Sequence, residues 1–202
     1  MTPGPPRRAQ AVGRPTTVEA PSGPLGGRLG RAFFARPTVA VARGLLGARI
    51  RVRRGRAVRE ARLVETEAYL RGDPASHAFR GPTRRNRSMF SAPGTLYVFR
   101  IHQVVCANLV TRAGEAVLLR AGRLDDAPPR TASGPGRLCR ALGVVLGDDG
   151  EDAVAGSRIE VRARAGPRPG IVVGPRVGIR KAADRPLRFS IAGDPAVSRP
   201  RP

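Results

Sequence analysis

The stretch "LVETEAYL", residues 63–70, places two glutamates one residue apart in an apolar run of a chain whose formal net charge is +22. Side chains alternate between the two faces of a β-strand, so Glu65, Glu67 and Tyr69 would share one face opposite an apolar one. Glutamate is a poor strand former, so two of them on one short strand suggest a groove lined by the carboxylates. On this stretch alone, however, the solvated face of a half-buried strand is the favoured interpretation.

The length of the chain, 202 residues, suits one domain with a proper core. Residues 1–31 are rich in Pro, Gly and Arg, which predicts a disordered basic tail before a folded domain at residues 32–202. No apolar run reaches the roughly 18 residues of a membrane-spanning helix, and the first residues lack the apolar core of a signal peptide. We therefore expect a cytoplasmic, nucleoid-associated protein.

The charge is carried almost entirely by arginine, since Lys181 is the one lysine in the sequence. A field this positive favours a polyanionic partner, and guanidinium groups match phosphate geometry. Nucleic acid is favoured over an anionic membrane because the sequence shows no basic amphipathic helix with a large apolar face. Genome composition is an alternative source of the arginines.

The cysteines, Cys106 and Cys139, have no paired spacing. Together with His77 and His102 they fit no compact zinc motif, so buried free thiols are favoured and no metal is expected.

The remaining patterns predict an α+β domain with a mostly antiparallel sheet. Thr38 is expected to cap a helix that ends at Gly47, and Ser133 one that ends at Gly143. Residues 71–94, with four arginines between Arg80 and Arg87, predict a long, ordered, irregular loop. Strands are predicted in a hairpin at 48–70, in a second hairpin at 95–110 with His102 and Gln103 at its tip, and at 116–122, 157–164, 170–174, 176–180 and 186–193.

Blocks of the sequence, in order, resemble the alkyladenine (3-methyladenine) DNA glycosylase family in its bacterial form. They are "ARGLLG", "VETEAYL", "DPASHAFRG", "TRRNRSMF", "PGTLYVF", "CANLVT", "AVLLRAG", "GPGRLCRALG" and "RVGIRKAADRPLRFSIAGDPAVSR". The resemblance covers residues 33–199 and implies a single α+β domain with a curved antiparallel sheet and flanking helices. It also implies that the protein flips alkylated or deaminated purines out of double-stranded DNA and excises them without a cofactor, as a monomer.

The resemblance implies a role for each matching residue. Glu67 matches the base that activates a water, and Arg120 an arginine beside it. A carboxylate at that place can also stabilise an oxocarbenium-like transition state, and in so positive a field we expect it to stay ionised at neutral pH. The residues matching the pocket that binds the flipped base are Tyr69, His77, Phe99 and Asn108. Those expected to contact DNA are Arg84, Arg85, Arg87, His102, Gln103 and Lys181.

The hairpin tip departs from the family pattern. His102 stands where the family has a tyrosine that wedges into the duplex, and Phe99 replaces another tyrosine. Imidazole is smaller and more polar than phenol, which predicts a weaker wedge. Lyase activity needs an amine nucleophile, and the position of Lys181 predicts a monofunctional enzyme. Two alternatives stay open: a lesion-binding protein that has lost turnover, and a generic basic RNA-binding domain.

Overall fold

The "LVETEAYL" stretch forms the second half of the longest strand, β2 (Ala57–Tyr69), at the centre of the sheet. The structure, a computed structural model, describes residues 26–200. One edge of β2 pairs with β5 (Glu115–Arg123) from Arg62 to Tyr69. The other edge pairs first with β1 (Arg49–Arg54) and then with β8 (Arg188–Ile191). Because two strands divide one edge of β2, the sheet curls.

Every strand pairing in the described residues is antiparallel, and the eight strands form one sheet. The main path runs β3-β4-β5-β2-β1-β6, with β7 joined through β8. The remaining strands are β3 (Leu96–Ile101), β4 (Val104–Arg112), β6 (Ile159–Arg162) and β7 (Ile171–Gly174). The predicted α+β class and curved antiparallel sheet are confirmed.

Three α-helices flank the sheet in residues 26–200: α1 (Arg31–Phe34), α2 (Thr38–Gly44) and α3 (Pro135–Leu142). Short 3-10 helices lie at Arg87–Phe90 and Leu146–Asp148. Helix α2 contacts β2 and β5, and α3 contacts β4 and β5, so one apolar core fills the space between helices and sheet. None of the helices in this part of the chain is long and apolar enough to cross a membrane.

The predicted helix caps are wrong in detail. Thr38 is the first residue of α2 and Pro37 its cap, because the Thr38 hydroxyl bonds Glu115 and Thr111 instead. Gly134, rather than Ser133, precedes α3, because Ser133 forms a β-bridge with Ala121 of β5. The helix ends differ too: α2 ends at Gly44, before the predicted Gly47, whereas Gly143 follows α3 as predicted.

The segment 176–180, predicted as a strand, pairs with no other strand in the part of the chain that the structure describes. Two buried carboxylates hold it instead, through the Arg176 side chain and the Val177 N–H. The predicted basic tail lies outside the described residues at 1–25. Its remaining residues, 26–31, contact the folded domain: Arg28 forms a β-bridge with Arg162, and the Leu29 N–H donates to the Val161 carbonyl 2.8 Å away.

The long loop between β2 and β3 is ordered by one side chain. The Asn86 side-chain carbonyl accepts hydrogen bonds from the Thr83 N–H and hydroxyl, at 2.6 and 2.9 Å. Its amide donates to the carbonyls of His77, at 2.8 Å, and Gly81, at 3.1 Å. The buried Asn86 side chain thereby supplies the hydrogen bonds that strand pairing would supply in a sheet, and it fixes the backbone at His77.

Gly94 allows a test of the packing between this loop and the core. Its φ is +87°, and a Cβ there would lie 2.6 Å from Val154 Cγ2 and 3.0 Å from Phe34 Cδ2. Gly81 has the same φ with nothing within 4 Å. We expect Gly81→Ala to lower the free energy of unfolding by about 1–2 kcal/mol through backbone strain alone. Gly94→Ala should cost about 1–3 kcal/mol more through overpacking. Urea unfolding measures both, and equal losses would contradict the packing at Gly94.

Candidate active site

Both glutamates of the opening stretch are buried: Glu65 and Glu67 have 0% exposed surface. The interpretation of this stretch as a solvated strand face is therefore wrong. A buried carboxylate requires charged or hydrogen-bonding partners, and these partners define the site.

Arg120 of β5 joins the two carboxylates. The β2–β5 register shifts on both sides of Glu65, so that Ala121 pairs with Glu65, Leu119 with Thr66, and Arg120 has no partner in the ladder. Such irregularities bend strands and re-aim side chains. The Arg120 Nε donates to Glu65 Oε1 at 2.9 Å, and its Nη1 lies 3.4 Å from Glu67 Oε1.

Glu67 has further partners from two directions. The Val177 N–H donates to its Oε1 at 2.9 Å, and the Tyr69 hydroxyl donates to its Oε2 at 3.0 Å. Burial raises the pKa of the Glu67 carboxyl above its ordinary value, against the opposing effects of Arg120, Val177 and Tyr69. Burial, rather than the net positive charge of the chain, therefore sets the direction of the shift.

A cavity of about 240 Å³ lies beside this carboxylate. The residues predicted for the base pocket, together with Arg120, all line it: Tyr69, His77, Phe99, Asn108 and Arg120. The Glu67 carboxylate lies behind two lining residues, Tyr69 and Val177, to which it is hydrogen-bonded. Sequence reasoning missed other lining residues, among them Met89, Tyr97, Pro135, Gly178 and Ile179.

The aromatic wall contains one more ring than was predicted. Phe99 stacks on Tyr97 with ring centroids 5.4 Å apart, and lies 4.3 Å from the His77 ring. The Tyr97 hydroxyl and His77 Nδ1 are 2.9 Å apart, and Asn108 donates to the Tyr97 carbonyl at 3.1 Å. Tyr97 thus brings a hydroxyl to the cavity although position 99 has none. Its place two residues before Phe99, on the same face of β3, is the signal that could have found it.

The titratable groups of this wall are shifted toward their neutral forms. Partial burial lowers the pKa of the His77 imidazole, although the residue as a whole is exposed. Burial, with the Asp149 charge, raises the pKa of the Tyr97 phenol to about 12. At neutral pH the wall therefore presents uncharged hydrogen-bonding groups.

A second buried ion pair supports the other side of the cavity. Arg176 pairs with Asp73, both side chains being fully buried, and it lies over the Tyr69 ring at 4.7 Å from the centroid. Arg176 precedes Val177, whose N–H reaches Glu67, so the pair holds this segment against β2. No local pattern predicts the contact, because 103 residues separate Asp73 from Arg176.

The hairpin tip is a two-residue turn with positive φ at both positions, 45° at His102 and 65° at Gln103. The hairpin is in the predicted place, and this geometry is that of a type I′ turn, although neither residue is the Asn or Gly that such turns favour. Both tip residues are exposed, flanked by Ile101 and Val104, which are 46% and 39% exposed. Ile101 also lines the cavity, so the tip stands at its mouth. The other residues predicted to contact DNA, Arg84, Arg85, Arg87 and Lys181, are exposed.

Cys106 and Cys139 are free and buried, as predicted. Burial raises the pKa of the Cys106 thiol, which lines the cavity, to about 11. Within residues 26–200, no three His, Cys, Asp or Glu side chains come together as a metal site.

The fold therefore brings a buried carboxylate beside an aromatic cavity, in a chain whose net charge is +22. Residues 32–195 match the family model for methylpurine-DNA glycosylase. Three relatives bear the name "Putative 3-methyladenine DNA glycosylase". The Methanoculleus marisnigri protein is 46% identical over 83% of this chain and 97% of its own length. The corresponding values are 40%, 89% and 93% for Rhizobium etli, and 44%, 87% and 87% for Anaeromyxobacter dehalogenans. The chain belongs to the methylpurine-DNA glycosylase family.

The Asp73–Arg176 pair gives a stability prediction. Asp73→Asn leaves a buried guanidinium without its counter-charge and should lower the free energy of unfolding by about 3–5 kcal/mol. Burial alone would raise the pKa of Asp73, but its hydrogen bond and ion pair with Arg176 hold that pKa below its ordinary value. The difference in free energy of unfolding between wild type and Asp73→Asn should therefore be full at pH values above the ordinary pKa of a carboxyl. It should shrink as the pH falls through the lowered pKa of Asp73 in the folded protein.

The control is Asp184→Asn, which removes an exposed carboxylate from the neighbouring loop and should change stability by less than about 0.5 kcal/mol. Denaturant titrations at several pH values measure both variants. An Asp73→Asn protein as stable as the control at neutral pH would refute the role of the pair.

Proposed function

We propose that the protein flips alkylated or deaminated purines out of double-stranded DNA and hydrolyses their N-glycosidic bond, leaving an abasic site. The observation that carries this proposal is the buried Glu67 carboxylate, bonded to two residues that line an aromatic cavity and beside a third, Arg120. Family membership supports the reaction class.

Glu67 is the proposed general base. Cleavage of the glycosidic bond develops positive charge on the sugar, and a fixed carboxylate stabilises that charge while it takes a proton from the attacking water. A raised pKa makes Glu67 a better proton acceptor than an exposed glutamate, provided that it remains ionised. The Arg120 guanidinium, 3.4 Å from Glu67 Oε1, favours the ionised form and helps to orient the carboxylate.

Tyr69 and Phe99 are the proposed stacking surfaces for the flipped base. Stacking on an aromatic side chain contributes about 1–3 kcal/mol per base. A cationic alkylated purine gains further from the ring quadrupole. His77, Tyr97 and Asn108 supply neutral polar groups for the base edge, and crowding by Asn108 would exclude the amino group of normal guanine.

The basic surface is the proposed contact with the DNA backbone. Arg84, Arg85, Arg87 and Lys181 are exposed, and the sequence has a net charge of +22. Phosphate contacts of this kind release counterions, so binding should weaken steeply with salt. His102 and Gln103, at the mouth of the cavity, would enter the gap left by the flipped nucleotide.

The enzyme is proposed to be monofunctional and to act as a monomer. Lys181, the one lysine in the sequence, is exposed and is not among the residues that line the cavity. A lyase step through an imine needs an amine at the reacting sugar carbon. The alternative is a lesion-binding protein without turnover, which the altered hairpin tip favours.

The Glu67→Gln variant separates the two functions. Single-turnover assays on duplexes that carry 3-methyladenine or hypoxanthine should show excision by the wild type and a loss of at least about 100-fold in Glu67→Gln, because the general base is gone. Lesion binding should remain. Glu60→Gln is the matched control: Glu60 lies on the same strand between two arginines, at 2.7 and 2.9 Å, and this variant should excise at the wild-type rate. The product should be an uncut strand with an abasic site, and borohydride should trap no adduct.

Wild-type protein that binds lesions and excises none of them would favour the binding protein. Equal excision by wild type and Glu67→Gln would contradict the assigned base.

Restoring a phenol at the tip tests the wedge. His102→Tyr should strengthen binding to lesion duplexes by about tenfold through stacking in the gap, and His102→Ala should weaken it. Neither change should alter binding to single-stranded lesion DNA, where no gap needs filling. Fluorescence anisotropy on paired duplex and single-stranded oligonucleotides measures the difference, and identical affinities of the Tyr and Ala variants for the duplex would refute the wedge.

A further inference from the structure

Glu65 has a full set of donors that leaves it no room for substrate. Its Oε1 accepts from Arg120 Nε at 2.9 Å, Arg188 Nε at 2.6 Å and the Ser198 hydroxyl at 3.0 Å. Its Oε2 accepts from the Ser198 N–H at 2.8 Å. With 0% exposure it reaches neither water nor the cavity, so it cannot exchange a proton with a substrate.

The partners of Glu65 converge on Arg120. The Ser198 hydroxyl also accepts from Arg120 Nε at 3.2 Å, and Arg188 donates to the Ser198 carbonyl at 3.0 Å. Nε of Arg120 is therefore held on the side of Glu65, which leaves Nη1 on the side of Glu67. A guanidinium is planar, so holding one edge fixes the direction of the other.

The charges in this cluster balance. Two carboxylates, Glu65 and Glu67, face two guanidinium groups, Arg120 and Arg188, and all four side chains are buried. The arrangement balances only when both carboxylates are ionised. Without the Glu65 charge, two cations would face Glu67 alone.

We propose that Glu65 is a positioning residue, which holds Arg120 edge-on toward Glu67 for the reaction proposed above and shares the charge of both arginines. This inference rests on the proposed function and adds a role for the second glutamate of the opening stretch. The orientation of Glu67, the proposed general base, then depends on the whole network rather than on Arg120 alone.

The pH dependence of Glu67 reports this role. The groups that face Glu67 are Tyr69 and Glu65 on β2, Arg120 on β5, Cys106 on β4, Arg188 opposite it on β8, and Arg176 behind Tyr69. The Glu65 charge raises the pKa of Glu67, and Arg120 lowers it. Glu65→Gln removes the first effect and leaves Glu67 as the one carboxylate facing Arg120 and Arg188, so the pKa of Glu67 should fall. The ionised base then persists to lower pH.

The experiment compares wild type, Glu65→Gln and Glu60→Gln. Glu60 is matched in strand and in arginine partners, but lies seven residues, roughly 23 Å, from Glu67. In Glu65→Gln we expect the acid limb of the excision rate to move to lower pH, and the plateau rate to fall by about 10- to 100-fold. In Glu60→Gln both should match wild type.

A readout independent of excision keeps the two hypotheses apart. ¹³C NMR titration of the glutamate carboxyls, with Glu67 assigned by its absence in Glu67→Gln, should show the same shift to lower pH in Glu65→Gln. A wild type that excises normally, with an unmoved Glu67 titration in Glu65→Gln, overturns the inference and leaves the proposed function intact. A wild type that excises nothing, with the titration moved, overturns the function and supports the network.

If Glu65→Gln fails to fold, Ser198→Ala takes its place. It removes only the hydroxyl shared by Glu65 and Arg120. We expect the excision rate per folded molecule to fall by about tenfold, with lesion affinity unchanged, because only the direction of Arg120 is loosened. A rate per folded molecule equal to wild type would overturn the inference.

Discussion

The buried ion pair between Glu65 and Arg120 is the interaction on which the rest of the site depends. It joins β2 to β5, and through Arg188 it adds β8, so three strands meet at one carboxylate. A carboxylate without water is tolerated only when donors satisfy it completely, and Glu65 has four. The register shifts beside Glu65 release Arg120 from the ladder and direct it to both glutamates. The site and the sheet are therefore stabilised by the same contacts.

A second pair, Asp73–Arg176, extends this frame to the cavity wall. Arg176 lies over Tyr69, and Tyr69 donates to Glu67. The Tyr69 ring, proposed as a stacking surface, and the Glu67 carboxylate are thus fixed relative to each other. For the proposed reaction, such preorganisation means that no reorganisation is needed when charge develops in the transition state.

Local patterns predicted most of the fold, and resemblance to a family predicted the residues around the cavity. The alternation of apolar and polar residues predicted the hairpins and the shared face of Glu65, Glu67 and Tyr69, because successive side chains of a strand point to opposite faces. The caps failed where a side chain had a distant partner, as Thr38 has in Glu115. Arg176 and Arg188 escaped notice because their partners lie 103 and 123 residues away. Among so many arginines, nothing local distinguishes a buried one from a phosphate contact.

The link from Glu65 to Ser198 spans 133 residues. At synthesis rates of about 5–20 residues per second, Ser198 is added roughly 7 to 27 seconds after Glu65. Until then Glu65 lacks its donors from Arg188 and Ser198, and a carboxylate is buried favourably only when donors satisfy it. The centre of the sheet is therefore completed late in synthesis, by a segment distant in sequence from β2.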